Sequence, residues 1–479
     1  TSLRNRIISA LRSSEDLAAR SAASSISQNF IFTHNTIKGL ASAMHSKVFG
    51  CKENEASGTE SHISLMRHLV SKYSESMGPA KLVNQRPLPS KAIVLLTGTT
   101  GGLGSYMLYM LLVNEAVERV YGFNRKSKST TLSDRQRAAF EDRGLPIEVL
   151  ASEKLVLVEG EETCDKLGLD EARYEEIRTT CTHVIHNAWR LDFNLSVSSF
   201  EPNIHGTRNL IDLALASAHG SNMRFVFTSS AGVTQSWDRN KGAFPEDPSL
   251  PLDVAVGAGY GESKFVSEKV PAEMGIQTSS LRIGQVCGGH PDGAWATTDW
   301  VPIFVKSSRA LGCLPDAQGV ASWVPFEIVA KTILSVAFSQ ERPALSLNVV
   351  HPHPVKWSSV VRKIAVSLTK IVDVGKEPLP AVPIREWVAL LEKRAAETDE
   401  KDIKAIPAIK LLDYFQHMAT ADDEILASGL TDVEAGGIAP SMSTDKAQAV
   451  STSLRDADII EDEDVDRWVR YWKRRGLFE

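Results

Sequence analysis

The sequence predicts an α/β protein with a doubly wound parallel sheet and helices on both of its faces. Between residues 91 and about 350, short apolar runs alternate with segments of helical pattern. The runs are too short for helices and hold Ile, Val and Leu at consecutive positions, which is typical of strands buried on both faces. Strands that alternate with helices predict parallel pairing. A smaller, mostly helical domain is expected over residues 289–479, with parts of residues 320–350 returning to the sheet domain.

The composition is that of an ordinary soluble globular protein. Of the 479 residues, 43% are hydrophobic and 23% are charged, and the formal net charge is −6. This mild acidity gives no reason to expect nucleic acid or a membrane as a partner. No apolar run reaches the roughly 18 residues of a membrane-spanning helix, and the first residues lack a secretory signal. The five cysteines are scattered, so we expect free thiols, no metal and a cytoplasmic location.

A glycine-rich turn follows the first predicted strand, Ala92 to Leu96, and leads into an apolar helix, Tyr106 to Val113. Glycines allow a tight turn, let backbone amides approach a phosphate, and let the helix pack directly on the strand. The N-terminus of the helix then offers free N–H groups to a pyrophosphate. The sequence therefore predicts a Rossmann-type dinucleotide site, against the alternative of a plain tight turn. The expected contacts are Thr97, Gly98, Thr100, Gly101, Gly102, Leu103 and Gly104.

The end of the second predicted strand, Arg119 to Phe123, indicates which nicotinamide cofactor binds. An acidic residue at this point would bind the ribose 2′-hydroxyl of NAD, whereas a 2′-phosphate favours arginine. The chain has Asn124, Arg125 and Lys126 here and no acid, which predicts NADPH. Arg135 is a candidate for a second phosphate ligand, with Arg137 as the alternative.

Two further predicted strands extend the cofactor site. Lys154 to Val158 is followed by Gly160-Glu161-Glu162, where the adenine ring is expected. Thr182 to Ala188 ends in His-Asn-Ala-Trp, and we expect Asn187 and Ala188 to approach the ribose and nicotinamide. Trp189 faces the substrate side or belongs to the core; the sequence leaves both open. Asn203, near the start of a long helix, is a further cofactor candidate.

A strand ending in hydroxyl groups precedes a Y-x-x-x-K pattern. Met223 to Ala231 supplies the hydroxyls, and Tyr260 and Lys264 lie at helical spacing i, i+4, which puts them on one face. A lysine ammonium beside a tyrosine favours the phenolate, lowers its pKa and can hold the ribose hydroxyls. Ser230 can hydrogen-bond an oxygen on which negative charge develops. We therefore predict Ser230, Tyr260 and Lys264 as catalytic, with Thr228 and Ser229 beside the cofactor.

Taken together, the motifs TGTTGGLG, HNAW, PNIHGT, FTSSA, GYGESK and LRIGQVCG resemble those of the extended short-chain dehydrogenase/reductases. They most resemble the terminal thioester reductase domains of nonribosomal-peptide-synthetase-like enzymes, which include aminoadipate reductase and the fungal adenylate-forming carboxylic acid reductases. The resemblance implies NADPH-dependent reduction of a carrier-bound acyl thioester to an aldehyde or alcohol. It also implies that Arg282, Ile283 and Gly284 belong to the stretch that closes over the nicotinamide.

The first 90 residues fit the domain order of that family. Asn29-Phe30 and Asn35-Thr36-Ile37, followed by Leu40-Ala41, resemble the end of a phosphopantetheine carrier domain, with Asn35 where proline is usual. The resemblance thus assigns residues 1–49 to a carrier domain that follows an adenylation domain, with the modified serine before Thr1. Residues 50–90 are expected to form a linker with one helix, His62 to Tyr73, before the NADP-binding domain, residues 91–288.

Three rival functions remain open: another extended reductase acting on a free ketone or nucleotide sugar, a non-catalytic NADP-sensing protein, and a non-reducing cyclase variant. The chain also departs from the family at Glu161-Glu162, where an acidic G-D-L is common, and at Trp189, where alanine is common.

In the C-terminal domain, Asp299 to Pro302 is expected to line the substrate entrance. The basic residues of the last helix, Asp464 to Arg475, either serve packing or contact an acidic carrier.

Overall fold

The computed structural model describes most of the chain. The described residues are 2–23, 26, 30–33, 36–49, 55–75, 86–193, 195–274, 278–341, 344–397 and 404–479. Asn29 and Asn35, on which part of the carrier resemblance rests, lie outside them. No helix among the described residues is long and apolar enough to cross a membrane.

A parallel sheet of seven strands forms the centre of the molecule, in the order β11-β6-β5-β4-β1-β2-β3. The strands, including six short ones outside this sheet, are β1 (Ala92–Thr97), β2 (Val117–Arg125), β3 (Leu155–Gly160), β4 (His183–His186), β5 (Arg224–Ser230), β6 (Thr278–Ile283), β7 (Val286–Cys287), β8 (Leu314–Asp316), β9 (Val320–Ala321), β10 (Val324–Pro325), β11 (Ser346–Val349), β12 (Val355–Lys356) and β13 (Ala381–Pro383). The sheet confirms the predicted doubly wound α/β class.

The helices cover both faces of this sheet and build the C-terminal region. They are α1 (Ser2–Arg12), α2 (Leu17–Ala22), α3 (Phe30–Thr33), α4 (Ile37–Phe49), α5 (Glu55–Ser74), α6 (Gly102–Val113), α7 (Leu132–Asp142), α8 (Glu171–Thr180), α9 (Glu201–Leu215), α10 (Gly259–Glu273), α11 (Trp300–Leu311), α12 (Phe326–Ala337), α13 (Trp357–Ile371), α14 (Ile384–Glu397), α15 (Leu412–Ser428), α16 (Asp445–Val450), α17 (Thr452–Arg455) and α18 (Asp462–Arg474).

Strand β1 shows how one sheet builds two cores. Val94 and Leu96 point to the face covered by α6, α7 and α12, whereas Ile93 and Leu95 point to the face covered by α5, α8, α9 and α10. This alternation follows from the period of two along a strand. Because β1 neighbours both β2 and β4, the chain leaves β1 in one direction and later returns to its other side. In such sheets ligands bind at that switch point, beside the carboxyl ends of the strands.

The C-terminal helices α11, α13, α14, α15 and α18 share a separate core. Six fully or almost fully buried tryptophans belong to it: Trp295, Trp323, Trp357, Trp387, Trp468 and Trp472. The short helices α16 and α17 instead pack on α12 of the sheet domain, through Ala447 and Leu454. The N-terminal helices have a small core of their own, formed by Leu11, Ala19, Ala23, Ile26 and Phe30.

Candidate active site

The glycine-rich turn between β1 and α6 is folded too tightly for side chains. Gly98 has a φ of +73°, and a Cβ on Gly104 would lie 2.0 Å from the Gly98 carbonyl oxygen. A Cβ on Gly102 would lie 2.9 Å from the Phe326 ring of α12. Helix α6 begins directly after Gly101. The N–H groups of its first turn, which have no partner within the helix, therefore lie at the switch point of the sheet. The turn therefore has the tight backbone geometry that the sequence predicts for a phosphate site.

Asn124, at the end of β2, braces this turn. Its Oδ1 accepts hydrogen bonds from the backbone N–H and the hydroxyl of Thr100, at 3.3 and 3.2 Å. Its Nδ2 donates to Thr99 Oγ1 at 2.6 Å, and Gln136 of α7 donates to the Thr99 carbonyl oxygen at 3.1 Å. The Asn124 side chain thus stabilises the conformation of the turn by hydrogen bonds, and a cofactor would contact this turn.

The basic residues after β2 lie at the surface. Arg125 and Lys126 are exposed. Arg135 donates to the Arg125 carbonyl oxygen at 2.8 Å and to Glu159 Oε1 at 2.9 Å, so it orders the backbone beside Arg125. The structure therefore brings the three predicted cations to one edge of the sheet. Arg125 and Lys126 are exposed and accessible to a ligand, whereas Arg135 is hydrogen-bonded to Arg125 and Glu159.

The ends of β1 and β4 are tied together at the switch point. The buried Thr97 hydroxyl accepts hydrogen bonds from the backbone N–H groups of Asn187 and Ala188, at 3.0 and 2.8 Å. The Asn187 side chain donates to the Thr97 carbonyl oxygen at 3.3 Å. Ala188 also lies against Gly98, where a Cβ would approach its Cα to 3.1 Å. Asn203, in the first turn of the neighbouring α9, is partly buried.

Tyr260 and Ser230 meet at the end of β5. Tyr260 lies in the first turn of α10, close enough to the Ser230 side chain for this hydroxyl to act on its pKa. Ser230 Oγ also accepts a hydrogen bond from the Gly232 N–H at 3.0 Å, which fixes its rotamer. Burial raises the pKa of Tyr260 to about 12, and the Ser230 contact opposes this. The predicted lowering by Lys264 is wrong for this structure, because the loss of hydration dominates; Tyr260 is held as the neutral phenol, a proton donor.

Lys264 lies one turn after Tyr260 and is buried among aromatic rings. Its Nζ donates to the Thr228 carbonyl oxygen at 2.6 Å and lies 4.2 Å from the centre of the Trp189 ring. The same atom is 5.9 Å from the centre of the Tyr260 ring. Burial lowers the pKa of Lys264 well below its ordinary value, and the carboxylates of Glu268 and Glu162 partly offset the effect. Trp189 therefore packs on Lys264 and Phe227, at the edge of the core that α9 and α10 share.

Ser229 and Arg282 contact α10 two turns after Tyr260. They are register neighbours on β5 and β6, and both bind Glu268 of α10: Ser229 Oγ donates at 2.5 Å and Arg282 NH2 at 2.8 Å. Arg282 is fully buried, and its other N–H groups donate to the carbonyl oxygens of Pro245 and Asp247. Because its guanidinium is used up in these contacts, the structure does not bring Arg282 to the predicted cofactor site. Ile283 and Gly284 follow it at the strand end, beside Ser230.

Glu162 follows β3 and lies near several predicted site residues. We expect it near the adenine ring, and its carboxyl lies close enough to Thr97, Arg125 and Lys264 for all three to act on its pKa. Burial raises the pKa of Glu162 to about 7, and these neighbours oppose the shift. Its backbone carbonyl oxygen accepts a hydrogen bond from Asn209 of α9 at 2.7 Å. The only sequence signal was its place directly after β3.

In the C-terminal region, Asp299 caps α11 and accepts hydrogen bonds from the Trp295 indole and the Gln285 amide, at 2.8 and 3.3 Å. The basic residues of α18 are engaged within the chain: Arg467 with Asp464, Arg470 with Asp466, Arg474 with Asp292, Arg475 with Asp142, and Lys473 with the Ile371 carbonyl oxygen. These contacts favour the packing interpretation of the last helix.

Comparison with known proteins shows what this chain is similar to. Residues 96–333 match the model of the NAD-binding family described as male sterility protein. The chain is also 46% identical to adenylate-forming reductase Nps9 of Serpula lacrymans over its whole length, and it spans 44% of the length of that relative. The resemblance to adenylate-forming reductases and the oxidoreductase class are thus confirmed.

Solved structures support the fold. The terminal R domain of the myxalamid PKS-NRPS biosynthetic pathway superposes with a TM-score of 0.69, at 20% identity, over 86% of this chain and 98% of that one. A thiolation-reductase di-domain of an archaeal nonribosomal peptide synthetase superposes over 100% of this chain and 98% of that one, with a TM-score of 0.65 at 18% identity. At these identities the likeness concerns the fold alone, which for the second structure includes the N-terminal helices.

Proposed function

We propose that the chain reduces an acyl thioester, presented on the phosphopantetheine arm of a carrier domain, with NADPH as the reductant. The observation that carries the proposal is the contact between Ser230 and Tyr260, with Lys264 one helical turn away, at the sheet edge that bears the glycine-rich turn. A reduction at this edge needs a hydride donor, and residues 96–333 match an NAD-binding family. The absence of an acid at Asn124, Arg125 and Lys126 supports NADPH over NADH.

The residues present fit a bound dinucleotide. The Gly98 to Gly104 turn and the first N–H groups of α6 would hold its pyrophosphate, and Arg125 and Lys126 its 2′-phosphate. Lys264, at the Thr228 carbonyl, would hold the ribose hydroxyls. When bound, the cofactor supplies a hydride to the carbonyl carbon of the substrate.

Ser230 and Tyr260 would act on the carbonyl oxygen of that substrate. Ser230 can donate to the oxygen as negative charge develops, which is worth most in a site sheltered from water. Tyr260 is positioned to give it a proton, since its raised pKa keeps the phenol protonated at neutral pH. Loss of the thiol then gives an aldehyde, and a second round would give an alcohol.

The N-terminal helices and the reductase fold suggest where the substrate comes from. We propose that residues 1–49 belong to the carrier domain and that an adenylation domain upstream loads it. The domain pairing named in the archaeal di-domain structure supports this proposal.

The four described cysteines are free thiols, in keeping with a reducing, cytoplasmic location.

The test is NADPH oxidation at 340 nm with aryl and aliphatic acyl-pantetheine thioesters, comparing the wild type with Tyr260→Phe. The variant keeps the ring and removes the proton donor, so turnover should fall about 10²–10⁴-fold. Aldehyde in the wild-type product completes the result. Binding of NADPH without oxidation across the thioesters, together with turnover of a nucleotide sugar or free ketone, would refute the proposal.

A further inference from the structure

Helix α5, which precedes the reductase domain, forms an ion pair with the catalytic helix α10. His62 Nδ1 lies 2.6 Å from Glu262 Oε1. The Glu262 side chain is fully buried, whereas that of His62 is 46% exposed. In the sequence Glu262 lies midway between Tyr260 and Lys264, so it leaves α10 on the side opposite them. The ion pair therefore contacts α10 on the face opposite Tyr260 and Lys264.

Glu262 also fixes the first turn of α10. Its Oε1 accepts a hydrogen bond from the Gly257 N–H at 3.1 Å, ahead of the helix start at Gly259. Among the described residues, its Oε2 has no hydrogen-bond partner. A buried carboxylate in this position needs a neighbouring cation, because an unpaired buried charge is costly. His62 supplies it, at the turn that carries Tyr260.

Helix α5 is itself firmly attached to the reductase domain. Met66 and Leu69 are buried in the core that α9 and α10 share. Lys72 and Tyr73 both donate to Glu201 Oε1 of α9, at 2.6 and 3.0 Å. Helix α5 is thus packed firmly against α9 and α10, the two helices that carry predicted site residues.

We propose that His62 is a positioning residue for the reduction: through Glu262 it holds the first turn of α10 so that Tyr260 meets Ser230 and the substrate carbonyl. His62 lies outside residues 96–333, the part of the chain that the family model covers. The effect on turnover rests on the proposed function, whereas the effect on α10 does not.

The contact depends on pH. The hydrogen bond to Glu262 raises the pKa of His62, and burial opposes the shift. The ionic contact is therefore complete below the ordinary value of 6.5 and is lost as pH rises through the raised value. Among the titratable and charged groups on the elements packed against α5, Glu262 of α10 and Glu201, His205 and Arg208 of α9 contact it, and Asp253 lies on the neighbouring turn Leu252–Ala255.

The experiment compares the 479-residue chain with three variants between pH 6 and 9. His62→Ala removes the contact, His62→Asn keeps a donor near the place of Nδ1 but does not titrate, and His68→Ala removes an exposed histidine of the same helix. With NADPH and an acyl-pantetheine thioester, we expect kcat of His62→Ala at pH 6 to fall about tenfold, as small misplacements of a catalytic group do. His62→Asn should restore most of kcat without the wild-type pH step, and His68→Ala should match the wild type.

Amide hydrogen exchange of residues 259–264 provides a readout that does not need turnover. It should be faster in His62→Ala than in the wild type at pH 6, with a smaller difference at pH 9. Unchanged exchange in His62→Ala, or an unchanged pH step of kcat in both His62 variants, would overturn the proposal. If the wild type does not reduce thioesters while exchange changes as expected, the positioning contact stands and the proposed function fails.

Discussion

At the active site, two neighbouring serines take different partners. Ser230 lies beside Tyr260 in the first turn of α10, whereas Ser229 donates to Glu268, two turns further along the same helix. Successive residues of a strand face opposite sides of the sheet, so only one of the two hydroxyls can serve the substrate. The position of a hydroxyl on β5, rather than its presence, decides its role.

Substitution of the two serines separates these roles. Ser230→Ala should lower kcat with an acyl-pantetheine thioester by about 10²-fold, because a donor to the developing oxyanion is lost. Ser229→Ala should reduce kcat much less and should lower the thermal unfolding midpoint instead. Steady-state kinetics and thermal unfolding of both variants give the comparison; equal losses of kcat would contradict the assignment.

The carboxyl of Glu162 should make cofactor binding sensitive to pH. With a pKa of about 7, it is mostly protonated at pH 6 and mostly ionised at pH 8. Since the ionised form repels an anionic dinucleotide beside Arg125, the affinity for NADPH should fall across this range. Fluorescence titration should show a several-fold rise in Kd for the wild type. Glu162→Gln should bind more tightly at pH 8 and show a weaker pH dependence; an identical pH dependence in both would contradict this role.

Among the elements, β6 and α10 are joined by the buried pair of Arg282 and Glu268. Exposure of the two side chains is 0% and 4%, so each charge depends on the other. Arg282→Met should therefore lower the free energy of unfolding by about 3–5 kcal/mol, because Glu268 is left unpaired. The double variant Arg282→Met/Glu268→Leu should recover much of that loss in chemical denaturation. A double variant no more stable than the single one would show that the pair is not the cause.

The strands were predictable and several side-chain positions were not. Strands buried on both faces appear as apolar runs, so β1 to β5 lie close to the predicted segments. Helices α7 and α8 escaped prediction because their sequences are mostly polar. The neighbours of the Glu162 carboxyl were not predictable, because Thr97, Arg125 and Lys264 come from β1, β2 and α10, which are far apart in the sequence. Arg282 shows a different limit: its partner Glu268 lies one helical turn after Lys264 and 14 positions before Arg282, and no pattern in the sequence marks it as an arginine partner.

At the scale of the whole molecule, residues 1–49 and helix α5 differ in how they relate to the reductase domain. The N-terminal helices have their own core, whereas α5 lends Met66 and Leu69 to the core of the sheet domain. Residues 55–74 thus belong in part to the core of the sheet domain, although their sequence predicts a linker.

Two truncations test this division. A chain starting at residue 50 should keep the unfolding midpoint of the reductase domain and its turnover of free acyl-pantetheine. A chain starting at residue 76 loses two buried side chains, worth about 3–6 kcal/mol together, and should unfold at a lower temperature with reduced turnover. Equal stability of the two truncated chains would contradict a structural role for α5.

The most direct measurement follows deuterium from the cofactor into the product. NADPH labelled at C4 is mixed with the chain and an acyl-pantetheine thioester as the sole acceptor, and the product is analysed by mass spectrometry. We expect one deuterium on the aldehyde carbon with the wild type and label transfer reduced about 10²-fold or more with Tyr260→Phe. Unlabelled thioester recovered intact although NADPH is bound, together with label transfer to a free ketone in a separate reaction, would show that the chain is not a thioester reductase.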